Sequence, residues 1–282
     1  MTASGGADAH DLGAVAARAT AFFENVRGSV GAVLRRPRRL APDFVPAWRR
    51  LKIHGAVAIG AVVLSMLLLD TRGHELAAGL PQWLVEIAYE ITDFGRSGWI
   101  LVPVGTLMVV IALLASPALD FMSRAVAAMV AARLGYVFVA VGLPGLVSTV
   151  AKRWIGRVRP SAVGPFAYEP FSWQPEYASF PSGHATTAFA ALVAIGVIFP
   201  RIRPILWVYA LLIAASRVMV SAHYPSDVIA GAAFGAFGAL VVRDWFAVRR
   251  VGFFVGPDGV VHTMAGPSLR RIKRVARVLV GP

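Results

Sequence analysis

The sequence predicts an all-α, polytopic membrane protein with about six transmembrane helices, and three observations carry that prediction. The composition is apolar: 57% of the 282 residues are hydrophobic and only 15% are charged, with a mean hydropathy of +0.66, values typical of membrane chains. About six apolar runs approach the roughly 20 residues that a helix needs to cross the hydrocarbon core. Lys and Arg concentrate in the two terminal segments, the pattern of a chain whose ends stay on the cytoplasmic side. Runs this rich in Ala, Leu and Val must satisfy their backbone hydrogen bonds within the segment, which favours helices over a barrel.

Taken in order, residues 1–50 read as a basic N-terminal segment, amphipathic or partly disordered, with arginines grouped at Arg35, Arg36, Arg38 and Arg39. A membrane domain follows over 51–246, with spans near 53–69, 98–116, 134–151, 184–200, 204–221 and 225–242. Between the first two spans, Leu80, Trp83, Leu84, Ile87 and Ile91 recur at helical spacing while Gln82, Glu86 and Glu90 face away. This pattern predicts a helix lying in the outer interface, placed to pack or to guide lipid tails. Arg201, Arg203 and Pro204 interrupt the fourth and fifth spans and mark a tight turn. Gly231 and Gly235, spaced as GxxxG in the sixth span, suit close helix packing more than a dimer contact. In the basic tail, 247–282, Val251 to Met264 resembles a hairpin about Gly256, Pro257, Asp258 and Gly259. Arg270, Arg271, Lys273, Arg274 and Arg277 then interleave with Leu269, Ile272, Val275 and Val278, a basic amphipathic helix suited to anionic lipid headgroups.

Orientation follows from the connections. The first 52 residues carry nine Lys and Arg against four acids, and residues 243–282 carry eight against two, whereas the 70–97 connection has two against five. An even number of spans puts both basic termini on one side, the cytoplasm, in the inner membrane. The net charge of +13 then reads as retention and attraction to anionic lipid, with nucleic acid excluded as a partner. With no Cys in the chain, disulfide and thiol chemistry are also excluded.

Scarce charge makes clustered charge informative. Lys152 follows the third span, His184 opens the fourth, Arg217 ends the fifth and His223 precedes the sixth, so these residues share one extracytoplasmic face. Their residue types suit phosphate. Guanidinium forks match phosphate oxygens in paired hydrogen bonds and a lysine adds a point charge, roles that Lys152, Arg159 and Arg217 fit. Arg153 and Arg157 fall outside the seven-residue spacing that joins Lys152 to Arg159 and are read as headgroup or surface contacts. Pro181-Ser182-Gly183-His184 is a turn feeding a helix, where free N–H groups and the positive end of the dipole favour an anion. Gly183 permits close approach and the Ser182 hydroxyl can donate, although a plain N-cap serine explains the tetrapeptide when it stands alone. His223 and Asp227, four apart, share a helical face. A carboxylate beside one imidazole nitrogen fixes the tautomer and leaves the other nitrogen to attack phosphorus, with His184 protonating the departing alkoxide.

Lys152 with Arg159 and Pro160, Pro181 to His184, and Ser216-Arg217 with His223 and Asp227 resemble the three signature motifs of the type 2 phosphatidic acid phosphatase superfamily. The motifs match as Lys-x6-Arg-Pro, Pro-Ser-Gly-His and Ser-Arg-x5-His-x3-Asp, and the six-span layout is similar to the membrane branch. The resemblance implies hydrolysis of a lipid or isoprenoid phosphomonoester or pyrophosphate through a phosphohistidine on His223, oriented by Asp227, with His184 as acid and base. Lys152, Arg159, Ser182, Gly183 and Arg217 are implied to bind phosphate, and neither metal nor cofactor is implied. A phosphotransferase using the same intermediate stays open, as does an anion transporter, although transporter sites sit on broken helices near the midplane and these charges lie at span ends.

Overall fold

Helices account for nearly all regular structure in the computed structural model, which describes residues 5–37, 43–115, 119–161 and 166–280. Arg38 and Arg39 of the predicted N-terminal cluster lie outside the described residues. The elements run α1 (Gly5–Leu34), α2 (Leu51–Leu68), α3 (Asp70–Ala78), α4 (Gln82–Asp93), α5 (Gly98–Leu114), α6 (Phe121–Ile155), α7 (Gly183–Ile198), α8 (Arg203–Met219) and α9 (Pro225–Val248). A short antiparallel pair, β1 (Phe253–Val255) and β2 (Val261–Thr263), and α10 (Leu269–Val280) complete the described chain.

The predicted spans are helical over most of their described residues, but their lengths and grouping differ from the sequence reading. Among the described residues, four helical stretches are long and apolar enough to cross a membrane: 82–114, in which α4 and α5 join, then α6, 200–219, and α9. A fifth arises if α2 and α3, bent by 54° at their junction, count as one span. The predicted fourth span, α7, has 16 residues, about 24 Å at 1.5 Å per residue, shorter than a full crossing. It stops before Pro200, and its Ala, Thr and Gly residues are largely buried, so it is a helix enclosed for much of its surface by its neighbours. By contrast α6 has 35 residues where the hydropathy pattern marked 134–151. Arg124 and Arg133 interrupt the apolar run without ending the helix, because hydropathy reports the hydrocarbon core and a helix can continue past it.

The chain forms two compact units. One comprises 43–102 and 137–244. In it α7 packs against α8, with Ala188, Leu192, Ala210 and Ile213 forming a buried core that also receives Ile91. Ile91 lies on the apolar face of α4, which therefore serves packing. The expected turn between the fourth and fifth spans is a 3-10 segment, Pro200–Ile202, fastened by Arg203 Nε donating to the Gly196 carbonyl at 2.7 Å. Gly231 and Gly235 of α9 face the backbone of α7: a Cβ at either position would lie 2.4 Å from the Ser182 oxygen or 2.1 Å from the Thr186 oxygen. The GxxxG spacing thus serves packing inside the chain.

The other unit comprises the two terminal segments with 103–136. Helix α1 extends over much of the segment read as amphipathic or partly disordered, and Asn25 Nδ2 donates to the Ala112 and Ala115 carbonyls at 3.0 and 2.7 Å. Arg35 donates to the Arg249 and Arg250 carbonyls just past α9, a basic side chain satisfying carbonyls near a helix C-terminus. The expected hairpin forms in register Phe253–Thr263 and Val255–Val261, and Phe253 stacks edge-on with Tyr136 at 4.6 Å. In α10 the basic residues are exposed and Val275 is buried.

Candidate active site

The site begins where α6 ends. Gly156 has φ +62°, and a Cβ there would lie 1.7 Å from the Glu169 carbonyl oxygen. Only glycine fits this left-handed cap, and beyond it the chain is extended. Val158 N bonds the Ala167 oxygen at 3.1 Å, Arg159 N the Glu176 oxygen at 2.8 Å, and Ser179 N the Arg157 oxygen at 3.0 Å. An extended chain has period two, so Arg157 and Arg159 fall on one side. This overturns the reading of Arg157 as a headgroup or surface contact. That reading carried helical spacing past a residue where the helix has stopped.

Arg157 is completely buried, at 0% exposure. Its Nη1 donates to Asp227 Oδ1 at 2.6 Å and to Ser226 Oγ at 2.7 Å, and its Nη2 to Asp70 Oδ2 at 2.7 Å. The guanidinium also lies 4.4 Å from the centre of the Tyr224 ring. Arg153, by comparison, is half-buried and donates to the Trp173 carbonyl at 2.7 Å.

The turn before α7 is pinned to the start of α9. Ser182 N donates to the Asp227 carbonyl at 2.9 Å, and the Ser182 carbonyl accepts from Thr186 N at 3.0 Å and Thr186 Oγ1 at 2.8 Å. Ser182 occupies the N-cap position of α7, yet its hydroxyl makes no capping bond. That oxygen is buried with no protein partner, so the plain N-cap explanation does not apply. Lys152 reaches from the last turn of α6 to the same helix start, its Nζ 3.1 Å from where a Gly183 Cβ would stand. Here glycine admits the ammonium group against the backbone.

Arg217 ends α8. Its Nη1 donates to Thr92 Oγ1 at 2.7 Å, and its Nε, like that of Arg159, is buried without a protein partner. The Arg217 carbonyl accepts from Ala222 N and His223 N at 3.1 and 3.2 Å, which folds the α8–α9 connection back and carries His223 inward. His184, second residue of α7, lines a cavity of 430 Å³ together with Gly183, Gly95, Arg96, Leu101 and Leu146. It lies close enough to Lys152, Arg217 and His223 to interact with their charges. Lys152 senses Arg159, Arg217 and Asp227 in the same way. The structure therefore brings Lys152, Arg159, Ser182, Gly183, His184, Arg217, His223 and Asp227 together around one centre.

His223 Nδ1 stands 3.7 Å from Asp227 Oδ2, longer than a hydrogen bond. Oδ2 is already held by Ser179 Oγ at 2.5 Å and Tyr224 N at 2.9 Å. The carboxylate is thus fixed by its other partners and faces the imidazole just beyond hydrogen-bond reach, and catalytic contacts often tighten only when substrate binds. Burial, first, pushes the His223 imidazole down from its ordinary 6.5 to about 4, with Arg217 and Arg159 acting in the same direction against Asp227. The ring is therefore neutral at physiological pH, the state in which a nitrogen lone pair can attack.

Sequence reasoning missed Asp70, Ser179, Ser226 and Thr92. Asp70 was counted among the acids of an outer connection, yet it opens α3 at the bend with α2 and is buried. Gly156 followed by Arg-x-Arg-Pro was the one available signal, for it announces a helix stop and an extended run that puts both arginines on one side.

Apolar helices of spanning length that carry a buried histidine and carboxylate among clustered cations suit an integral membrane enzyme that acts on phosphate esters. The profile described as "PAP2 superfamily" matches residues 133–250. The chain is 37% identical over 207 residues to the lipid A 1-phosphatase of Rhizobium etli, covering 72% of this chain and 88% of that protein. It is 38% identical over 225 residues to the lipid A 1-phosphatase of Rhizobium johnstonii, covering 78% and 88%. It is also similar to the crystal structure of a transmembrane PAP2-type phosphatidylglycerolphosphate phosphatase from Bacillus subtilis, at 22% identity and a TM-score of 0.48, covering 67% of this chain and 94% of that one. The chain belongs to the PAP2 superfamily and is a membrane phosphatase of lipid phosphates.

Proposed function

We propose that this phosphatase removes the 1-phosphate of lipid A, at the extracytoplasmic face of the inner membrane, through a covalent phosphohistidine on His223. The support for the substrate is the identity of 37% and 38% to two lipid A 1-phosphatases across most of both lengths. The support for the chemistry is one observation: an imidazole, buried beside a fixed carboxylate, faces cations whose Nε groups, on Arg159 and Arg217, have no protein partner.

In the first step Nε2 of His223 attacks phosphorus in line with the ester oxygen. The N–P bond forms, the P–O bond breaks, and the departing oxygen takes a proton from His184, whose protonated form the negative charge of the bound phosphate favours. The phosphorylated ring keeps its Nδ1 proton and carries a positive charge, which Asp227 offsets. Lys152, Arg159 and Arg217, with the Ser182 hydroxyl and the N–H groups at the start of α7, hold the equatorial oxygens, where charge is spread during transfer. A positioned acid contributes roughly 10²–10⁴ in rate, and a sugar or alkyl oxygen needs it. In the second step water attacks phosphorus, His184 takes its proton, and His223 leaves.

The cytoplasmic placement of both termini rests on the charge distribution between connections. In that orientation the exposed basic face of α10 meets anionic lipid headgroups of the inner leaflet.

The experiment is a lipid panel. Purified protein is given lipid A, phosphatidylglycerophosphate, phosphatidic acid, a sphingoid phosphate and undecaprenyl pyrophosphate, and both free phosphate and the lipid products are measured. Lipid A should lose its 1-phosphate with the highest kcat/KM. Intact lipid A beside rapid release from another lipid would refute the substrate, and phosphate appearing on a second lipid instead of in solution would refute hydrolysis.

A further inference from the structure

We propose that Asp70 and Arg157 are positioning residues for His223, a buried relay that fixes Asp227 and sets the charge behind the imidazole. The inference rests on the reading of His223 as the nucleophile and extends it to an element outside the three motifs.

The relay runs from the α2–α3 bend to the site. Asp70 Oδ1 accepts from Ser226 N at 2.9 Å, and its Oδ2 accepts from Ser226 Oγ at 2.6 Å and Arg157 Nη2 at 2.7 Å. Arg157 Nη1 then holds Ser226 Oγ and Asp227 Oδ1. Asp70, Arg157, Ser226 and Asp227 are all 0% exposed. Asp227 is consequently held on both oxygens, by Arg157 on one side and by Ser179 and the Tyr224 N–H on the other, so its position and plane are fixed by groups other than His223.

Charge makes Asp70 more than a structural partner. Arg157 beside Asp227 alone would form a neutral pair, and the carboxylate would have little negative charge left for an imidazole that becomes positive. With Asp70 included, two carboxylates share one guanidinium and the buried cluster keeps one net negative charge. Among the described residues, the other charged and titratable groups around His223 are Arg217 of α8, Arg159 of the extended segment, His184 of α7 and Lys152 of α6, and none of these supplies negative charge. The residual charge of the relay is therefore what balances a positive imidazole in the intermediate. A guanidinium without its second carboxylate would reverse that balance.

The test is Asp70→Asn, which keeps size and an acceptor and removes the charge, with kcat, KM and the acid limb of the pH–rate profile measured on a lipid phosphate and thermal unfolding followed in parallel. The relay predicts a fall in kcat of at least about tenfold with KM within about twofold, because the lost stabilisation belongs to the charged intermediate and not to bound substrate. It also predicts that the acid limb moves to lower pH, since removing negative charge disfavours the imidazolium. Should Asp70→Asn not fold, Ser226→Ala removes the hydroxyl that bridges Asp70 and Arg157 while their direct contact at 2.7 Å remains; it should give a smaller kcat loss with KM unchanged, and wild-type kcat in that variant also overturns the relay. Glu75→Gln, an exposed change on the same helix, should leave all three readouts unchanged. Wild-type kcat in Asp70→Asn, or a loss with an unmoved acid limb and only lowered thermal stability, overturns the relay. Wild-type protein that releases no phosphate from any lipid phosphate overturns instead the functional reading beneath it.

Discussion

Gly231→Ala probes the coupling of fold to chemistry with one methyl group. The Cβ would lie 2.4 Å from the Ser182 carbonyl oxygen and 3.2 Å from its carbonyl carbon, where ordinary contact begins at 3.4 Å. The obstacle is backbone, so no rotamer relieves it. Helices α7 and α9 must separate by about 1 Å, and overpacking of this kind costs about 1–3 kcal/mol. The displaced atoms belong to the turn that carries Ser182, Gly183 and His184, while His223 and Asp227 sit at the other helix. A misplacement of about 1 Å between reacting groups costs on the order of 10²-fold in rate. Phosphate release at saturating lipid, with thermal unfolding in detergent, reads both effects. We expect a lower melting temperature and a kcat reduced by about 10²-fold, whereas Gly60→Ala, where nothing lies within 4 Å of the added Cβ, should change neither. A Gly231→Ala protein with wild-type kcat would refute the dependence of the site on this helix contact.

Other predictions follow from the site. His223→Ala should abolish turnover while thermal unfolding stays near wild type, as read by phosphate release and circular dichroism. Because His223 has been pushed down to about 4 from an ordinary 6.5, its protonation should end activity only as pH falls through about 4, with no loss near 6.5 from this group. The same shift has a linked effect on stability. Between pH 6.5 and about 4 the unfolded chain takes up a proton that the folded chain refuses, so the melting temperature should decline as pH falls through that window. Arg217→Lys keeps charge but loses the fork that holds Thr92, and kcat/KM should drop by more than about tenfold because lysine does not replace bidentate geometry. Phosphate release should persist in EDTA, since the proposed steps use only side chains of the chain.

Much of the site was legible in the sequence because its residues sit at element ends, where polar groups interrupt apolar runs. Lys152, His184, Arg217 and His223 were each visible as charge or imidazole at the boundary of a span, and topology alone placed them on one face. Arg157 was equally visible but misread, since a spacing rule for helices was extended beyond Gly156. Asp70 was illegible for a different reason. Its role depends on a 54° bend and on pairing with a residue 87 positions away, and nothing local distinguishes it from the exposed acids of the same connection. The fold showed the same division. Helix existence followed from composition, whereas the brevity of α7 and the length of α6 depend on what surrounds each helix. Hydropathy does not register that a helix of small residues is enclosed by protein instead of lipid.

The central claim is that phosphorus passes through His223. Its most direct measurement is the fate of radiolabelled phosphate during turnover of labelled lipid A, with the reaction quenched in alkaline detergent and the protein digested and mapped. The account predicts label on the peptide containing His223 within the first turnover, absent from His223→Ala protein and lost as free phosphate accumulates. Label on another residue, or continued hydrolysis by His223→Ala protein at near wild-type rate, would contradict it.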